Sequence, residues 1–503
     1  MTAAEVLELD GLSQAQYVRE GQVSAAELVD AAISRIEALN PILNCVVVER
    51  FAQARDDAER FDAEEDRGGA FAGVPVLLKD LGQQIAGVVQ TDGSRAYVPE
   101  PADRDSNLTA RYRRAGMIFL GKTSSPEFGN HSTTEPVVHG PCRNPWATEL
   151  TAGGSSGGSA ASVAARMVAV GGASDGAGSI RIPASCCGVY GLKPTRGRIS
   201  PAPQAGETLF GLATEHSITR SVRDSAALLD VSSGPARGDW HWLGPAARPF
   251  LDAVGTNRGP LRIGTSTSHP VGAKVHPDCI AATEHTAGLL SALGHTIESA
   301  APKFDISAMT TSMLDVWATG NAVWHDALTA AFGRPLKPEE LEPTTWELIE
   351  HAGRLTASDL ARALDHLEAA AWEIAGFFNR YDLWLTPTLA QPPPPLGELN
   401  KSFGSAAGWW EYDMQFNPWN PIANISGSPA ASLPLFGNNA DVPIGTMLTA
   451  PFGDEKTLIS VSAQLEQADP WANRAPDIAG PDHMSSVSRK VERSAKAGPE
   501  PSF

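Results

Sequence analysis

Ser179 is the residue that the sequence places best for nucleophilic chemistry. It follows Gly176, Ala177 and Gly178, after a short apolar run that ends at Val170 and predicts a buried strand. Small residues in front of a serine leave backbone N–H groups exposed. An acyl-transfer enzyme needs a hydroxyl to attack a carbonyl and amides to hold the oxygen that becomes negative. The alternative is a tight strand-to-loop turn that needs glycine only for its backbone freedom.

Two earlier segments could supply the rest of a catalytic site. The stretch from Gly153 to Ser159 is a Gly/Ser loop that runs into an Ala-rich segment of good helix propensity. The stretch from Gly73 to Asp80 predicts a short apolar strand that ends in Lys79. A lysine at a strand end is usually a solvated surface group, but desolvation could hold this one neutral.

A lysine and a second serine could together remove the proton of the nucleophile. A serine hydroxyl is a weak nucleophile and must lose its proton as it attacks. Histidine usually accepts that proton, but Ser–Lys variants exist. A lysine can accept it if burial brings its pKa toward the working pH, and a second hydroxyl can pass it on because it both donates and accepts.

These three segments, in this order, resemble the amidase signature family. The similarity runs from roughly residue 10 to residue 470 and includes flanking motifs. Within the family, the pattern is most similar to bacterial hydrolases of aryl and cyclic amides, including 6-aminohexanoate-cyclic-dimer hydrolases. The motifs that carry the resemblance are Gly121–Glu127, Arg143–Trp146, Gly153–Ser159, Asp175–Arg181, Gly188–Arg196 and Asn424–Ala430.

The resemblance implies a Ser–cisSer–Lys triad that hydrolyses a carboxylic amide through an acyl-enzyme. Ser179 matches the nucleophile, Ser155 the bridging serine that follows a cis peptide bond, and Lys79 the base. No cofactor is predicted, and no metal is predicted because the histidines form no H-E-x-x-H or similar pattern. Four residues match the oxyanion hole, namely Gly176, Ala177, Gly178 and Ser179.

Other residues are predicted to support the triad or to bind substrate. Ser156 matches a further serine of the same loop, and Asp175 and Arg181 are predicted to pair and to fix the nucleophile loop. The alternative for these two is a pair of solvated charges. One segment matches residues that contact substrate through backbone carbonyls in relatives, namely Phe128, Gly129, Asn130 and His131.

The sequence departs from the family pattern at two positions. Ala177 stands where most members have glycine, which still permits an amide donor. Met447 stands where a glutamine is usual. The first departure bears on the oxyanion hole and the second on the surrounding fold.

Three alternatives remain open at this stage. The stretch from Gly153 to Gly157 fits the G-x-S-x-G pattern of an α/β-hydrolase, although no buried strand leads into it. A Gly/Ser loop that opens a helix could bind a phosphate or nucleotide without hydrolysis, although the ending of a P-loop is missing. Within the family, the chain could be the A subunit of a glutamine-dependent amidotransferase, but Ile182 stands where that subunit typically has glutamine.

Composition narrows the partners and the compartment. A net charge of −19 over 503 residues argues against nucleic acid as a partner. No apolar run is long enough for a transmembrane helix, and the N-terminus does not resemble a signal peptide. Five cysteines without metal-ligand spacing fit a reducing cytoplasm. The resemblance implies a small-molecule amide as the binding partner. Family analogy adds a possible homodimer.

The predicted fold is a single large α/β domain in which helices cover both faces of a mixed central sheet. Four segments are expected: N-terminal cover helices at 1–71, the signature core at 72–232, the rest of the domain with a helical pocket region at 233–475, and a loose tail at 476–503. Several aromatic side chains could line an apolar pocket, although core positions are the alternative for each. They are Trp317, Trp324, Trp409, Trp410, Tyr412, Phe416 and Trp419.

Overall fold

A large mixed β-sheet organises the part of the chain that the structure describes. The structure is a computed structural model that describes residues 1–64 and 67–478. Its strands are β1 (Val46–Glu49), β2 (Pro75–Lys79), β3 (Ile118–Thr123), β4 (Arg143–Asn144), β5 (Ala147–Thr151), β6 (Val170–Asp175), β7 (Tyr190–Lys193), β8 (Thr214–Thr219), β9 (Arg262–Thr265), β10 (Thr296–Ser299), β11 (Leu383–Pro387), β12 (Ala430–Gly437) and β13 (Pro443–Thr449).

Helices occupy most of the connections between these strands. They are α1 (Ala3–Leu7), α2 (Gly11–Arg19), α3 (Ala25–Leu43), α4 (Phe51–Ala63), α5 (Asn107–Arg114), α6 (Gly157–Ala164), α7 (Arg181–Cys187), α8 (Val222–Ser232), α9 (Pro277–Ala292), α10 (Ile306–Phe332), α11 (Pro343–Ala352), α12 (Ala357–Phe377), α13 (Ala406–Phe416), α14 (Asn420–Ile425) and α15 (Glu455–Ala468). Several begin at side-chain caps. For example, the Ser24 hydroxyl accepts from the Glu27 amide at the start of α3, and the Glu27 carboxylate accepts from the Ser24 amide.

The strand order explains why the sheet is mixed. Among the described residues the order is β1-β3-β2-β6-β8-β7-β12-β13-β11-β9-β10, and β4 and β5 form a separate ribbon. Strands β3, β2 and β6 are parallel to one another, as are β11, β9 and β10. Between these two groups, each neighbouring pair in the order β6, β8, β7, β12, β13 is antiparallel. Parallel neighbours need crossover helices, which supply the layers on the sheet.

Alternation along β2 shows that both faces of the sheet are buried. Val76 and Leu78 pack into one core with residues of α5, α8 and α15, while Leu77 packs into another with residues of α3 and α6. Successive side chains of a strand point to opposite faces, so a strand buried on both sides reads as a continuous apolar run. The predicted α/β fold, with helices on both faces of one mixed sheet, is confirmed.

The predicted position of the strand before the nucleophile loop is wrong. The sequence predicts that the apolar run ending at Val170 forms the strand before the nucleophile, whereas β6 begins at Val170 and continues to Asp175. Gly171 and Gly172 lie in β6 because a side chain there would collide with Ser159 and Gln83. The division into four segments stays a prediction, and the tail from residue 479 onward lies outside the described residues.

Candidate active site

Two parallel strands bring the predicted base and the nucleophile loop to the same edge of the sheet. Strand β2 pairs with β6 through Val76 opposite Val170 and Leu77 opposite Gly171. Lys79 is the last residue of β2, and the loop that carries Ser179 follows the last residue of β6. The carboxyl ends of parallel strands are the usual place for a site in an α/β sheet.

Lys79 is fully buried and contacts two serine hydroxyls. Its Nζ lies 2.7 Å from Ser155 Oγ and 3.0 Å from Ser174 Oγ. Burial lowers the pKa of Lys79 to about 7, although the carboxylates of Asp175 and, more weakly, of Glu215 and Asp92 act in the opposite direction. A lysine in this state exists partly as the neutral amine at neutral pH and can accept a proton.

Ser155 lies in a loop that only small residues can form. The Gly154–Ser155 peptide bond is cis. A Cβ atom on Gly154 would lie within 2.5 Å of the carbonyl oxygens of Thr133 and His131, and one on Gly129 would lie 3.1 Å from Ser155 Oγ. Close backbone packing on both sides therefore holds the Ser155 hydroxyl against Lys79.

The carbonyls of the nucleophile loop are tied to the rest of the protein. The Ala177 carbonyl accepts from Asn417 Nδ2 at 2.8 Å, and the Ser179 carbonyl accepts from the Ser156 amide at 3.2 Å. The Ser156 hydroxyl lies 3.3 Å from the Ser174 carbonyl, which joins the serine loop to β6. These contacts bring the Ser155 loop and the Ser179 loop together, although the described residues show no hydrogen bond between the two hydroxyls.

The amides of the nucleophile loop differ in what they already bind. The Gly178 amide donates to Asp175 Oδ1 at 2.8 Å. In the described part of the chain, the amides of Gly176, Ala177 and Ser179 have no protein acceptor. Three of the four amides predicted to form an oxyanion hole are thus available to a ligand, and the fourth orients a carboxylate.

Asp175 and Arg181 form a fully buried ion pair beneath this loop. Nε and Nη2 of Arg181 donate to the two carboxylate oxygens of Asp175 at 2.9 and 2.8 Å. Burial alone would raise the pKa of Asp175, but the guanidinium and the Asn424 amide hold it at about 2. The predicted pair is therefore present, and the alternative of two solvated charges is wrong.

The pair also explains how the chain accommodates Met447. Arg181 Nη1 donates to the Asn420 carbonyl at 3.0 Å and lies 3.3 Å from Met447 Sδ, while Nη2 donates to Asn424 Oδ1 at 2.6 Å. A thioether is a weak acceptor, so the main acceptors for this guanidinium are the Asp175 carboxylate, the Asn420 carbonyl and the Asn424 side chain. The departure from the family pattern leaves the ion pair intact.

The segment predicted to contact substrate packs beside Ser155 and against three tryptophans. Phe128 has a left-handed backbone (φ 48°), which aims the following residues, and its ring lies 5.0 Å from that of Trp324. Asn130 Oδ1 accepts from Trp317 Nε1 at 2.9 Å. The His131 ring lies edge-on to Trp409 at 5.8 Å, and burial lowers the pKa of His131 to about 4, so this histidine is neutral.

Trp317 brings aromatic surface directly to the nucleophile loop. Its ring lies 3.3 Å from the point where a Cβ atom on Gly176 would stand, and it lies 6.0 Å from the ring of Trp410. Of the seven aromatic residues considered from the sequence, five are buried and the other two are partly exposed. The buried ones are Trp317, Trp409, Trp410, Phe416 and Trp419.

The amides at the start of α6 are occupied by protein acceptors. Gly157 donates to Thr134 Oγ1 at 3.1 Å, Gly158 to the Ser124 carbonyl at 3.2 Å, and Ser156 to the Ser179 carbonyl at 3.2 Å. A phosphate-binding loop requires free amides at this position. The geometry therefore disfavours the phosphate-binding interpretation of the Gly/Ser loop.

Comparison with known proteins identifies the family. A model of the Amidase family matches residues 27–459. The chain belongs to the amidase family. The amidohydrolase class and the amidase signature fold predicted from the sequence are confirmed, and the α/β-hydrolase alternative is wrong.

Two curated amidases and two solved structures resemble the chain over most of its length. It is 39% identical to the 6-aminohexanoate-cyclic-dimer hydrolase of Paenarthrobacter ureafaciens and 38% identical to that of Pseudomonas sp. (strain NK87), each over 94% of this chain and 97% of the relative. A structure of 6-aminohexanoate cyclic dimer hydrolase complexed with substrate matches with a TM-score of 0.89 and 38% identity, over 94% of this chain and 100% of that chain. A bacterial aryl acylamidase matches with a TM-score of 0.83 and 28% identity, over 93% and 99%.

Sequence reasoning missed three polar residues of this amidase site. Ser174 is the second hydroxyl on Lys79, Asn417 holds the Ala177 carbonyl, and Asn420 Nδ2 donates to the Asn417 side chain at 2.7 Å. The only sequence signal for Ser174 was its place beside Asp175. Asn417 lies 240 residues from Ala177 and Asn420 lies 239 residues from Arg181, and no local pattern reveals such contacts.

Two further features concern partners of the amidase. Among residues 1–64 and 67–478, no helix combines the length and apolarity needed to cross a membrane. Within the same residues, no three His, Cys, Asp or Glu side chains are grouped so that they could hold a metal ion.

Proposed function

We propose that this amidase hydrolyses its substrate through an acyl-enzyme on Ser179. Ser179 Oγ attacks the amide carbonyl and gives its proton to Ser155, which passes its own proton to the neutral amine of Lys79. The C–N bond then breaks as the proton returns through Ser155 to the leaving nitrogen. A water molecule attacks the resulting ester by the same route, which releases the acid and restores the hydroxyl of Ser179.

The observation that carries this proposal is the contact between a buried lysine and a serine. Lys79 Nζ lies 2.7 Å from Ser155 Oγ, and burial brings the pKa of Lys79 to about 7. An amine that is neutral at the working pH can act as a general base, whereas a solvated lysine would stay protonated. His131 is buried and neutral, and among the described residues no histidine side chain makes a hydrogen bond to Ser155 or Ser179.

The amides of Gly176, Ala177 and Ser179 are proposed to hold the developing oxyanion. They have no protein acceptor among the described residues, whereas the Gly178 amide is used by Asp175. Donors fixed in a site that excludes water act most strongly on charge that develops in the transition state. Asp175 and Arg181 support the loop from below, and Ser156 joins it to the serine loop.

The proposed substrate is an apolar aryl or cyclic amide. Trp317 presents aromatic surface beside Gly176, with the ring of Trp410 next to it, and Trp317 Nε1 donates to Asn130 in the segment from Phe128 to His131. Apolar and aromatic walls with a few fixed polar groups are typical of small-molecule sites. The printed name of the 6-aminohexanoate-cyclic-dimer hydrolases supports a cyclic amide as the first compound to test.

A panel of four amides tests the proposal. Wild type and Ser179→Ala would be assayed with 6-aminohexanoate cyclic dimer, an acyl anilide, acetamide and glutamine. We expect turnover of the cyclic dimer or the anilide, much weaker turnover of acetamide, no ammonia from glutamine, and no turnover by the variant. Equal rates on acetamide and the anilide would contradict the apolar pocket, and ammonia from glutamine would indicate an amidotransferase subunit.

Covalent labelling separates the chemistry from the choice of substrate. A fluorophosphonate should modify Ser179 in the wild type, and peptide mass spectrometry should find the adduct on that residue alone. Ser179→Ala should remain unmodified. Ser402→Ala, which removes an exposed serine, is the matched control and should keep full labelling. Adducts on Ser155 would overturn the assignment of the nucleophile.

We further propose that the enzyme works in the cytoplasm as a homodimer. The five cysteines are all buried and none forms a disulfide within the described residues, which suits a reducing compartment. Light scattering during size-exclusion chromatography measures the mass of the assembly. A mass of one chain at micromolar concentration would rule out the dimer.

A further inference from the structure

Glu215 lies directly across the sheet from a hydroxyl of the active site. Strands β6 and β8 are antiparallel, and Ser174 is the register partner of Glu215. Residues opposite one another in an antiparallel pair project their side chains from the same face, with Cβ atoms about 4.5–5.5 Å apart. Because Ser174 Oγ lies 3.0 Å from Lys79 Nζ, the side chain of Glu215 leaves the sheet on the side of Lys79.

The position of Gly82 locates the carboxylate more closely. A Cβ atom on Gly82 would lie 2.8 Å from Glu215 Oε1, and Gly82 follows Lys79 by three residues. In the described part of the chain, this carboxylate makes no hydrogen bond and no salt bridge within 4.0 Å. Neither capping nor ion pairing therefore accounts for an acid at this position.

Other charged and polar groups surround Lys79 and Glu215. Lys122 Nζ donates to the Lys79 carbonyl at 3.1 Å and to Gln90 Oε1 at 3.2 Å, and Gln90 Nε2 donates to Asp92 Oδ1 at 2.7 Å. Asp92 and Gln90 also line a cavity of about 250 Å³. The charges of Asp175 and Asp92 act on Lys79, and those of Asp80 and Asp92 act on Lys122, which also acts on Glu215. His139 interacts with Asp80, and Tyr112 interacts with Glu215.

We propose that Glu215 is a positioning residue of the active site, whose carboxylate adds to that of Asp175 in favouring the protonated form of Lys79 and acts from across the β6–β8 pair. This proposal rests on the proposed function, in which Lys79 is the base. Glu215 touches neither substrate nor the reacting atoms and acts only through the lysine. Asp92, which lines the cavity, also favours the protonated form of Lys79.

The charges explain what such a residue does. Burial lowers the pKa of Lys79 to about 7 and raises the pKa of Glu215 to about 7, and each group opposes the effect of burial on the other. Two interacting groups that titrate in the same range share protons as a pair. A negative charge on Glu215 therefore favours the protonated form of Lys79, which holds the proton received from Ser155 until that proton returns through Ser155 to the leaving amine.

Removing the carboxylate should change the titration of Lys79 in a stated direction. In Glu215→Gln the protonated lysine loses an attractive charge, so its pKa should fall by roughly one unit. Asp92→Asn should lower it by less, and asparagine tolerates the left-handed backbone at that position (φ 51°). Glu100→Gln removes an exposed carboxylate from the rim of the cavity and is the matched control with no expected change.

NMR of ¹³Cε-labelled lysine follows the titration directly. The Lys79 signal is assigned by its loss in Lys79→Met, and its midpoint is compared in the wild type and the three variants. The pH dependence of fluorophosphonate labelling is a second readout, whose midpoint should move to lower pH in Glu215→Gln with the plateau rate preserved.

The outcomes separate this proposal from the proposed function. An unchanged Lys79 midpoint in Glu215→Gln, or an equal shift in Glu100→Gln, would overturn the role of Glu215. If Glu215→Gln does not fold, an unchanged midpoint in Asp92→Asn contradicts the electrostatic account. If Ser179 does not react with the fluorophosphonate, the proposed function fails, while the NMR midpoint still decides the effect of Glu215 on Lys79.

Discussion

The side chain of Asn417 holds the backbone of Ala177 from across the molecule, with Nδ2 donating to the carbonyl oxygen at 2.8 Å. Asn417 follows α13, and Ala177 lies two residues before the proposed nucleophile. This hydrogen bond fixes the plane of the peptide that joins Ala177 to Gly178. The C-terminal helical layer therefore takes part in shaping the loop on which the proposed chemistry depends.

Asn417→Ala should slow catalysis without a comparable loss of binding. The freed Ala177 carbonyl can rotate and move the neighbouring amides, and a displacement of about 1 Å in a catalytic group can cost roughly a hundredfold in rate. We expect kcat to fall by about ten- to a hundredfold and KM to change little, as measured by steady-state kinetics. Asn379→Ala, an exposed asparagine, is the control, and an equal loss of kcat there would contradict the tether.

Acylation should become faster as the pH rises through neutrality. The neutral form of Lys79 is the base, and burial lowers its pKa to about 7, so the reactive fraction grows with pH and reaches a plateau above that value. At pH 6 the rate should be about one tenth of the plateau. Rates of fluorophosphonate labelling across the pH range measure this profile, and a flat profile from pH 6 to 9 would exclude Lys79 as the titrating base.

Gly129→Ala should damage the site more than its backbone angle alone predicts. The new methyl would stand 3.1 Å from Ser155 Oγ and 2.9 Å from Leu81 Cδ2, at a φ of +74°. Gly255→Ala has a similar φ of +82° with no atom within 4 Å of the new methyl, so it isolates the cost of the backbone angle, about 1 kcal/mol. We expect kcat to fall only in Gly129→Ala, measured beside Tm for both variants. Equal effects would mean that the close approach to Ser155 is unimportant.

Breaking the Asp175–Arg181 pair should destabilise the fold as well as the loop. Both side chains are fully buried, and removal of one partner of such a pair costs about 3–5 kcal/mol because the other charge is left uncompensated. Urea unfolding of Asp175→Ala, Arg181→Met and the double variant at pH 7 gives the coupling free energy. Additive losses would show that the two residues act independently.

Acid should weaken the same pair. The pKa of Asp175 is about 2 in the folded protein and about 3.9 in an unfolded chain, so its stabilising contribution is complete above the unfolded value and is lost as the pH falls toward 2. The difference in unfolding free energy between wild type and Asp175→Ala should therefore shrink from pH 5 to pH 2. A constant difference over that range would contradict the folded-state pKa.

The resemblance to the family was sufficient to select Lys79, Ser155 and Ser179 as candidates. Residue type and spacing alone left a tight turn and a solvated lysine as alternatives, whereas the structure buries Lys79 at the end of a strand and brings it against Ser155. The Asp175–Arg181 pair was also predictable because its members are six residues apart. The start of β6 was misplaced because Gly171 and Gly172 are required there by packing, against the strand propensity of glycine.

The rest of the site depends on register and on contacts between distant segments. Ser174 meets Lys79, and Glu215 faces Ser174, only because β6 lies between β2 and β8 with a particular alignment. A shift of one residue would turn these side chains to the other face of the sheet. Asn417 reaches Ala177 through the packing of α13 and α14, which no local sequence pattern specifies.

The triad and the asparagines that hold the nucleophile loop lie in different parts of the chain, which has a practical consequence. Lys79, Ser155 and Ser179 all precede residue 232, whereas Asn417, Asn420 and Asn424 all follow residue 405. The exposed connector after α8 could therefore be cut to give two fragments, one with every reacting group and the other with the side chains that brace the nucleophile loop. Hydrolysis would then depend on reunion of the fragments, and the protein could serve as a split reporter of association between any two partners fused to them.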